Sequence, residues 1–227
     1  MSARRITQFL GATVVTTWVA LLSPPISASA APCPDVEVTF ARATTEPPGV
    51  GGVGQAFVDS LRSQVGGRSV EVYPVNYPAS DDFAPSASAG ASDASAHVQA
   101  MAANCPNTKM VLGGYSQGAM VIDLITIAQF PVAGFTPATL PADVADHAAA
   151  VAVFGNPADR YLGAPISEIS PWYGSKAIDL CAPGDPICSP GGGLSVPTHD
   201  ELFSATHLSY PQSGMPGQAA AFAATHL

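Results

Sequence analysis

The chain has 227 residues, of which 47% are hydrophobic and only 11% are charged, and its formal net charge at neutral pH is −9. This apolar content excludes an intrinsically disordered chain, and the length fits one domain with a substantial core. The excess of acidic residues argues against nucleic acid and anionic lipid surfaces as electrostatic partners, although it leaves a neutral substrate open.

The first 31 residues predict a secretory signal peptide. Arg4 and Arg5 form a basic head, an apolar stretch covers residues 9–22, and small residues fill positions 27–31 in the pattern of a cleavage site. The apolar stretch is too short and too rich in threonine to predict a transmembrane segment, and no later segment is long and apolar enough to form one. We therefore expect a protein that is secreted, extracellular or associated with the cell envelope, with a single domain over residues 32–227.

Short β-rich runs alternate with helix-like stretches along this domain. Strands are expected at residues 35–41, 70–77, 110–112, 148–154 and 175–180, and helices at 55–65, 92–104, 119–125 and 217–227. Pro74 places the second strand near an edge of the sheet. The run 86–95 is expected as a weakly packed helix start, and the segments 130–141 and 183–197 as surface loops. The alternation predicts an α/β fold: a three-layer sandwich in which a central, mostly parallel five-stranded sheet carries helices on both faces.

The segment 114–118 reads Gly-Tyr-Ser-Gln-Gly, a Gly-x-Ser-x-Gly pattern between an apolar run and a helix-like run. This context is typical of a nucleophile elbow, in which a sharp turn from strand to helix lifts a serine to the top of the sheet. The two glycines suit such a turn because it leaves no room for Cβ atoms beside the serine. The pattern predicts a serine hydrolase with Ser116 as the nucleophile, and the backbone amide of Gln117 would face the acyl oxygen.

A serine alcohol needs a histidine to accept its proton and a carboxylate to orient that histidine. In this fold the chain order is serine, acid, histidine, which removes His97. His147 is expected in a helix as a surface residue, and His226 lies one residue from the end of the chain. We favour His207, which comes just before the final helix, while His199, in a polar loop, remains the alternative.

The acid is expected in a loop that follows a strand. Asp185 follows the fifth strand inside a short loop bounded by cysteines, which would hold a carboxylate rigidly. Asp159 follows the fourth strand and is the rival, although a salt bridge with Arg160 or a helix cap would also account for it. We favour Asp185.

The chain has four cysteines, Cys33, Cys105, Cys181 and Cys188, which permit three pairings. Export favours disulfides. We favour Cys33–Cys105 and Cys181–Cys188, because the second pair would close a short loop whose proline and glycine already favour a turn. The spacing does not predict a metal site, since the chain has no C-x-x-C pair and no histidines clustered near the cysteines.

Three motifs together resemble the cutinase family of secreted serine esterases: the elbow at 114–118, the pattern Cys-x-x-Gly-Asp-x-x-Cys at 181–188, and His-Leu-Ser-Tyr at 207–210. The segment 33–46 is similar to the first strand and the oxyanion loop of that family. The resemblance spans nearly the whole predicted domain. Within the family, the chain is most similar to the cutinase-like proteins of mycobacteria and related actinobacteria.

The resemblance implies Ser116 as nucleophile, Asp185 as acid and His207 as base, with the same two disulfides and no large lid. It also implies an oxyanion hole formed by the amide of Gln117 and by the amide and hydroxyl of Thr44. The chain departs from the family pattern in two places: the stretch from Cys188 to His207 is long, and Ala43 stands where glycine is common. If that position required a positive φ, the alanine would be strained.

The sequence therefore predicts a secreted serine carboxylic ester hydrolase that acts on short- to medium-chain acyl esters through an acyl-enzyme intermediate, without a metal or organic cofactor. Its expected partner is a small-molecule or lipid ester. A monomer is expected, because paired cysteines leave none for an intermolecular bridge. Two alternatives remain open: a lipid-directed phospholipase, thioesterase or acyltransferase with the same triad, and a non-catalytic secreted binding protein on an esterase scaffold.

Overall fold

The computed structural model describes residues 32–189 and 195–227. The predicted signal peptide and the glycine triplet at 191–193 therefore lie outside the described residues. Five parallel strands form one sheet in the order β2-β1-β3-β4-β5. The strands are β1 (Val36–Ala41), β2 (Val70–Pro74), β3 (Lys109–Tyr115), β4 (Ala148–Phe154) and β5 (Ala177–Leu180). The α-helices in the described part of the chain are α1 (Gly51–Gln64), α2 (Phe83–Asn104), α3 (Gln117–Thr126), α4 (Ala142–Ala145), α5 (Pro157–Leu162), α6 (Ile166–Ile169), α7 (His199–Leu202) and α8 (Met215–Ala224).

Two hydrophobic cores lie on opposite faces of the sheet. Successive side chains of a strand point to opposite faces, so Met110 and Leu112 of β3 pack towards α2 and α3, whereas Val111 packs towards α1 and α8. On the second face, the rings of Phe40, Phe57 and Phe154 have centroids 6.1–6.4 Å apart. Both faces of the central strands are thus covered, which confirms the expected three-layer sandwich.

The edge position expected for the second strand is confirmed. Pro74 is the last residue of β2, which pairs only with β1. The expected strand continued to Tyr77, but the chain leaves the sheet after Pro74. The following residues turn towards the carboxyl ends of the strands and lead into α2.

The alanine-rich helix is longer and better packed than expected. α2 begins at Phe83, well before the expected start at residue 92, and Ala87, Ala91 and Ala94 are fully buried. The expectation of a weakly packed start is wrong, because small side chains allow close approach of α2 to its neighbours rather than loose contact. A run of alanine and serine carries no apolar stripe that would indicate this from the sequence.

The short helices α4 to α7 were not expected from periodicity, since one or two helical turns show none. Caps mark two of them: Asn156 accepts from the Ala158 amide at the start of α5, and Thr198 forms a capping box with Glu201 at α7. His207 lies in a 3₁₀-helix, His207–Gln212, rather than in the expected loop. In the part of the chain that the structure describes, no helix is long and apolar enough to cross a membrane.

Both expected disulfides are present, Cys33–Cys105 and Cys181–Cys188. The first joins the segment before β1 to the end of α2 across 72 residues, while the second closes a turn of 7 residues after β5. In the chain-entropy description, the longer loop restricts the unfolded chain more strongly.

Replacing both Cys33 and Cys105 by serine should lower the free energy of unfolding by about 4 kcal/mol, against about 2 kcal/mol for the matched Cys181→Ser and Cys188→Ser pair. The reason is the difference in loop length. Denaturant unfolding of the three oxidised proteins measures both losses. Equal losses, or a larger loss for the short loop, would contradict an effect that acts through the unfolded chain.

Candidate active site

Ser116 lies at a strained turn between β3 and α3. Its φ of 57° and ψ of −117° are unusual for a residue with a side chain. A Cβ added to Gly114 would lie 2.2 Å from the carbonyl oxygen of Gly118, and one added to Gly118 would lie 2.0 Å from that of Ala41. The two glycines are therefore required for the turn. The Ser116 amide donates to the Phe154 carbonyl at 2.9 Å, which anchors the turn to β4.

His207 lies between Ser116 and Asp185. Its Nε2 is 2.9 Å from Ser116 Oγ, and its Nδ1 is 2.9 Å from Asp185 Oδ2. All three side chains are buried. The Tyr115 hydroxyl donates to the His207 carbonyl, and the two rings lie with centroids 5.0 Å apart. The structure thus brings the three predicted residues into one hydrogen-bonded chain.

The Asp185 carboxylate is fully buried, and both of its oxygens have hydrogen-bond partners. Its Oδ1 accepts from the Ile187 amide at 2.9 Å, and its Oδ2 accepts from the Tyr210 hydroxyl at 2.7 Å as well as facing His207. Burial alone would raise the pKa of Asp185, but the hydrogen bond and charge of His207 and the bonds from Tyr210 and Ile187 outweigh it, so the pKa lies below its usual value. An ionised carboxylate only accepts hydrogen bonds. The proton shared by His207 and Asp185 therefore lies on Nδ1, while Nε2 faces Ser116 Oγ.

The loop that carries Asp185 is held from two sides. The Cys181–Cys188 disulfide closes it. From α5, the buried Arg160 donates to the Pro186 carbonyl at 2.9 Å and to Glu201 Oε1 of α7 at 3.0 Å. Arg160 thus joins the acid-bearing loop to the segment that lines the cleft above it.

Thr44 and Gln117 lie side by side next to Ser116. The Gln117 side chain donates to the Ser80 carbonyl at 2.8 Å and to Thr44 Oγ1 at 3.3 Å, and it accepts from Ser86 Oγ at 2.8 Å. Because Thr44 Oγ1 accepts from this amide, its own proton is directed elsewhere. The backbone N–H of Thr44 has no acceptor among the described residues. The arrangement can therefore supply donors to an oxygen bound beside Ser116.

Arg42 and Glu46 fix the backbone around Thr44. The Glu46 carboxylate accepts from the Ala43 amide at 2.7 Å and from the Gly52 amide at 2.8 Å. Arg42 Nε donates to the Glu46 carbonyl at 2.7 Å, and its terminal nitrogen donates to the Tyr77 carbonyl at 2.8 Å. Ala43 is not at a positive φ; that conformation falls instead on Thr45. The strain considered for Ala43 is thus absent.

A cleft of about 280 Å³ opens above Ser116 and His207. One wall is the loop around Thr44, and the other is formed by α7 and the 3₁₀-helix. Its lining residues are Ala43, Thr44, Thr45, Glu46, Pro47, Tyr115, Ser116, Leu202, Phe203, His207 and Leu208. The wall that includes Phe203 and Leu208 is apolar and partly exposed, so the cleft can take an apolar group next to the buried polar chain.

The sequence pattern described as Cutinase matches residues 32–227. The chain belongs to the cutinase family. Carboxylesterase Culp1 of Mycobacterium tuberculosis is 51% identical to it over 235 aligned residues, which cover 100% of this chain and 98% of that protein. Phospholipase Culp4 of the same organism is 49% identical over 229 aligned residues, which cover 100% of this chain and 93% of that protein.

Solved structures show the same fold. A Trichoderma reesei cutinase in complex with a C11Y4 phosphonate inhibitor superposes with a TM-score of 0.67 at 34% identity, over 86% of this chain and 77% of that chain. An acetylxylan esterase superposes with a TM-score of 0.69 at 25% identity, over 86% of this chain and 99% of that chain. The expected fold class is confirmed, and this member of the cutinase family is a serine-type carboxylic ester hydrolase.

The rival residues lie apart from the site in this cutinase-family chain. His199 is exposed on α7, beside Asp200 and Phe203. His97, on α2, contacts Glu37 of β1 at 2.7 Å. Asp159 lies in the first turn of α5 and does not contact His207.

A buried carboxyl cluster behind the site was not expected from the sequence. The Asn156 amide donates to Asp123 Oδ1 at 3.2 Å and to Asp179 Oδ1 at 3.1 Å. Burial, together with the nearby charge of Asp179, raises the pKa of Asp123 well above its usual value, and burial raises that of Asp179. Burial and the charges of Asp179 and Glu168 raise the pKa of Asp159 to about 7.

Three further side chains support the site of this cutinase-family chain and were not predicted from the sequence: Tyr115, Tyr210 and Arg160. Each acts on a residue distant in the sequence, as Tyr115 does on His207, which lies 92 positions away. Tyr210 belongs to the matched His-Leu-Ser-Tyr motif, and its position three residues after His207 is the one signal that could have revealed a partner for the acid.

The carboxyl cluster predicts a pH dependence of stability. Where the folded-state pKa of a carboxyl exceeds the unfolded value, the folded protein binds more protons between the two values. The free energy of unfolding should therefore fall as the pH rises from about 3.8 towards about 7, the window set by Asp159. Thermal unfolding across this range should show a falling Tm, and a flatter slope for Asp159→Asn and Asp123→Asn.

The control is Asp200→Asn, which removes a fully exposed carboxylate of α7 and should leave the slope unchanged. A Tm that does not fall over this window in the unmodified protein, or an equal flattening by Asp200→Asn, would contradict the link to burial.

Proposed function

We propose that the chain is a secreted hydrolase of short- to medium-chain acyl esters in which Ser116 is the nucleophile, His207 the general base and Asp185 the orienting acid. The observation that carries the proposal is the hydrogen-bonded chain from Ser116 Oγ through His207 to Asp185 beneath an open cleft. Geometry of this kind, rather than sequence position, defines a catalytic triad.

In the first step, Ser116 Oγ attacks the ester carbonyl carbon while His207 Nε2 accepts the serine proton. The carbonyl oxygen becomes an oxyanion, and the imidazolium that forms is stabilised by the Asp185 carboxylate. His207 then returns the proton to the alkoxide as it leaves, which yields the alcohol and the acyl-enzyme. Water, activated by the same imidazole, attacks the acyl carbon and releases the carboxylic acid and free Ser116.

The oxyanion is held by the backbone N–H groups of Gln117 and Thr44 and by the Thr44 hydroxyl. The Gln117 amide belongs to the first turn of α3, where helix N–H groups have no partner within the helix. The Gln117 side chain orients the Thr44 hydroxyl through the 3.3 Å contact. Donors placed in advance stabilise the developing charge without rearrangement.

The cleft supports acyl groups of limited length. Its volume of about 280 Å³ is at the lower end of ligand sites, which measure roughly 300–1,000 Å³. Leu202, Phe203 and Leu208 form an apolar wall for the acyl chain, and the alcohol would extend through the open side of the cleft.

Export and a monomeric state complete the proposal. Residues 1–31 have the pattern of a signal peptide, and disulfides form and persist in oxidising compartments. All four cysteines lie in disulfides within the chain, so none is left for a covalent link to a partner.

A second candidate is attack on phospholipids by the same residues. Phospholipase Culp4 is 49% identical to the chain, which favours this candidate. The chemistry is the same and only the alcohol differs, so hydrolysis of a diacyl phospholipid compared with an acyl ester of matched chain length distinguishes the two.

The first test is hydrolysis of p-nitrophenyl esters from acetyl to palmitoyl by the oxidised protein and by its Ser116→Ala variant. We expect turnover that disappears in the variant, with a maximum at short to medium chains because of the small cleft. Thermal unfolding of both proteins checks that the variant is folded. Turnover retained by Ser116→Ala would overturn the assignment, and absence of turnover at every length would favour a binding protein.

The second test concerns Thr44. Thr44→Val removes the hydroxyl at nearly constant volume and should lower kcat by about 10²- to 10³-fold with little change in KM, because the lost donor acts on the oxyanion. Thr44→Ser keeps the hydroxyl and should remain near the unmodified protein. Unchanged kcat in Thr44→Val would mean that backbone N–H groups alone hold the oxyanion.

A further inference from the structure

The carboxyl end of β4 lies next to all three residues of the proposed triad. The Phe154 carbonyl accepts from the Ser116 amide at 2.9 Å. At Gly155 the backbone lies against the other two residues, since a Cβ placed there would be 3.0 Å from His207 Cε1 and 3.2 Å from Asp185 Oδ2. The Gly155 amide donates to the Leu180 carbonyl at 2.9 Å, at the end of the strand that leads to Asp185.

Asn156 follows directly and extends the same connections through its side chain. One carboxyl that it binds, Asp123, lies on α3, two turns after Ser116 on the helix that this serine begins. The other, Asp179, lies on β5, just before Cys181 and the loop of Asp185. The Asn156 side-chain oxygen accepts from the Ala158 amide at 2.9 Å. A single buried amide therefore joins the elements that carry the nucleophile and the acid.

Burial of the carboxyls around Asn156 is costly to stability, since it raises the pKa values of Asp123 and Asp179. Asp123 Oδ2 is buried and has no hydrogen-bond partner among the described residues. The Asp179 carboxyl is buried as well, although the backbone amides of Ile166 and Ser167 also face it. Buried polar atoms without partners are costly, and apolar side chains in place of buried charges are often neutral or stabilising. This cluster reduces stability and lies directly behind the reactive residues. Its position therefore indicates a role in the site.

We propose that Asn156 is a positioning residue, which sets the distance between Ser116 and the His207–Asp185 pair by holding α3 and β5 to the end of β4 through Asp123 and Asp179. This inference rests on the proposed function, because it concerns the geometry of that triad. Asn156 touches neither substrate nor reacting atoms. It acts by keeping the Gly155 backbone against the imidazole and the helix of Ser116 in register with β4.

The consequence is a specific effect on the chemical step. If the two links to the carboxyls are lost, only backbone contacts hold α3 and β5 to the end of β4, so small shifts become possible and the 2.9 Å contact between His207 Nε2 and Ser116 Oγ lengthens. A displacement of about 1 Å at reacting groups can cost about a hundredfold in rate. The walls of the cleft belong to other segments, so substrate binding should change little.

The decisive variant is Asn156→Ser. Serine is a good helix cap and can still accept from the Ala158 amide, but it lacks the amide that joins the carboxyls. We expect kcat for a short p-nitrophenyl ester to fall about tenfold to a hundredfold with KM unchanged. The concentration of active sites is determined by titration with a phosphonate ester, so that unfolded protein does not count.

A direct readout accompanies the kinetics. The far-downfield proton resonance of His207 Nδ1–H in the NMR spectrum reports the hydrogen bond to Asp185, and it should shift or broaden in Asn156→Ser. Asp123→Asn and Asp179→Asn each keep a carbonyl oxygen that can accept from Asn156, so both should retain kcat and the resonance. Thr126→Val is the matched control, because it removes a buried hydrogen bond on α3 that has no link to β4.

Three results would overturn the proposal: unchanged kcat in Asn156→Ser, an unchanged Nδ1–H resonance, or an equal loss of kcat in Thr126→Val at a similar loss of Tm. If Asn156→Ser fails to fold, Asp123→Leu removes one of the two links and gives the same readouts. The Ser116→Ala variant distinguishes failure of the positioning role from failure of the proposed function. Serine-dependent turnover that is insensitive to Asn156 refutes only the positioning role, whereas turnover that survives Ser116→Ala refutes the proposed function itself.

Discussion

The site depends on one close contact between backbones, where the first turn of α3 rests on the carboxyl end of β1. Gly118 lies so close to the Ala41 carbonyl that no Cβ fits between them. Because of this contact, the first turn of α3 lies beside the loop that follows β1, and the Gln117 side chain can reach Thr44 Oγ1. Ser116, at the start of this turn, has a positive φ. Ser116, Gln117 and Thr44 are therefore brought together by a single constraint, and a side chain at position 118 would separate them.

The hydrogen bonds to Asp185 show how the fold stabilises a buried charge. Asp185 has no guanidinium or ammonium partner among its hydrogen bonds; neutral donors from Ile187 and Tyr210 and the ring of His207 satisfy it. Such a carboxylate gains its full stabilisation only while each donor stays in place, so its loop must be rigid. The Cys181–Cys188 disulfide and the bond from Arg160 to the Pro186 carbonyl provide that rigidity. Rigid support of this kind is what an orienting group in a site requires.

The parts of the site that could be predicted from the sequence are those formed by residues close together in the chain. The elbow around Ser116 is predictable because its glycines and flanking runs are adjacent in the chain, and the loop of Asp185 is predictable because its cysteines bound it. Asn156 was not, since its partners Asp123 and Asp179 lie 33 and 23 positions away and no local pattern links them. The extent of α2 was missed for another reason: small side chains pack closely without the apolar periodicity that marks a buried helix.

The hydrogen-bonded chain and the apolar wall of the cleft belong to different parts of the chain. Ser116 and Asp185 follow the carboxyl ends of β3 and β5, and His207 begins the 3₁₀-helix before α8. Leu202 and Phe203, on one wall of the cleft, belong to a single helical turn and its end. Yet α7 is joined through Glu201 and Arg160 to the loop of Asp185, so a change in the wall that breaks this ion pair would also loosen the acid, which limits how far the wall can vary while the chemistry is kept.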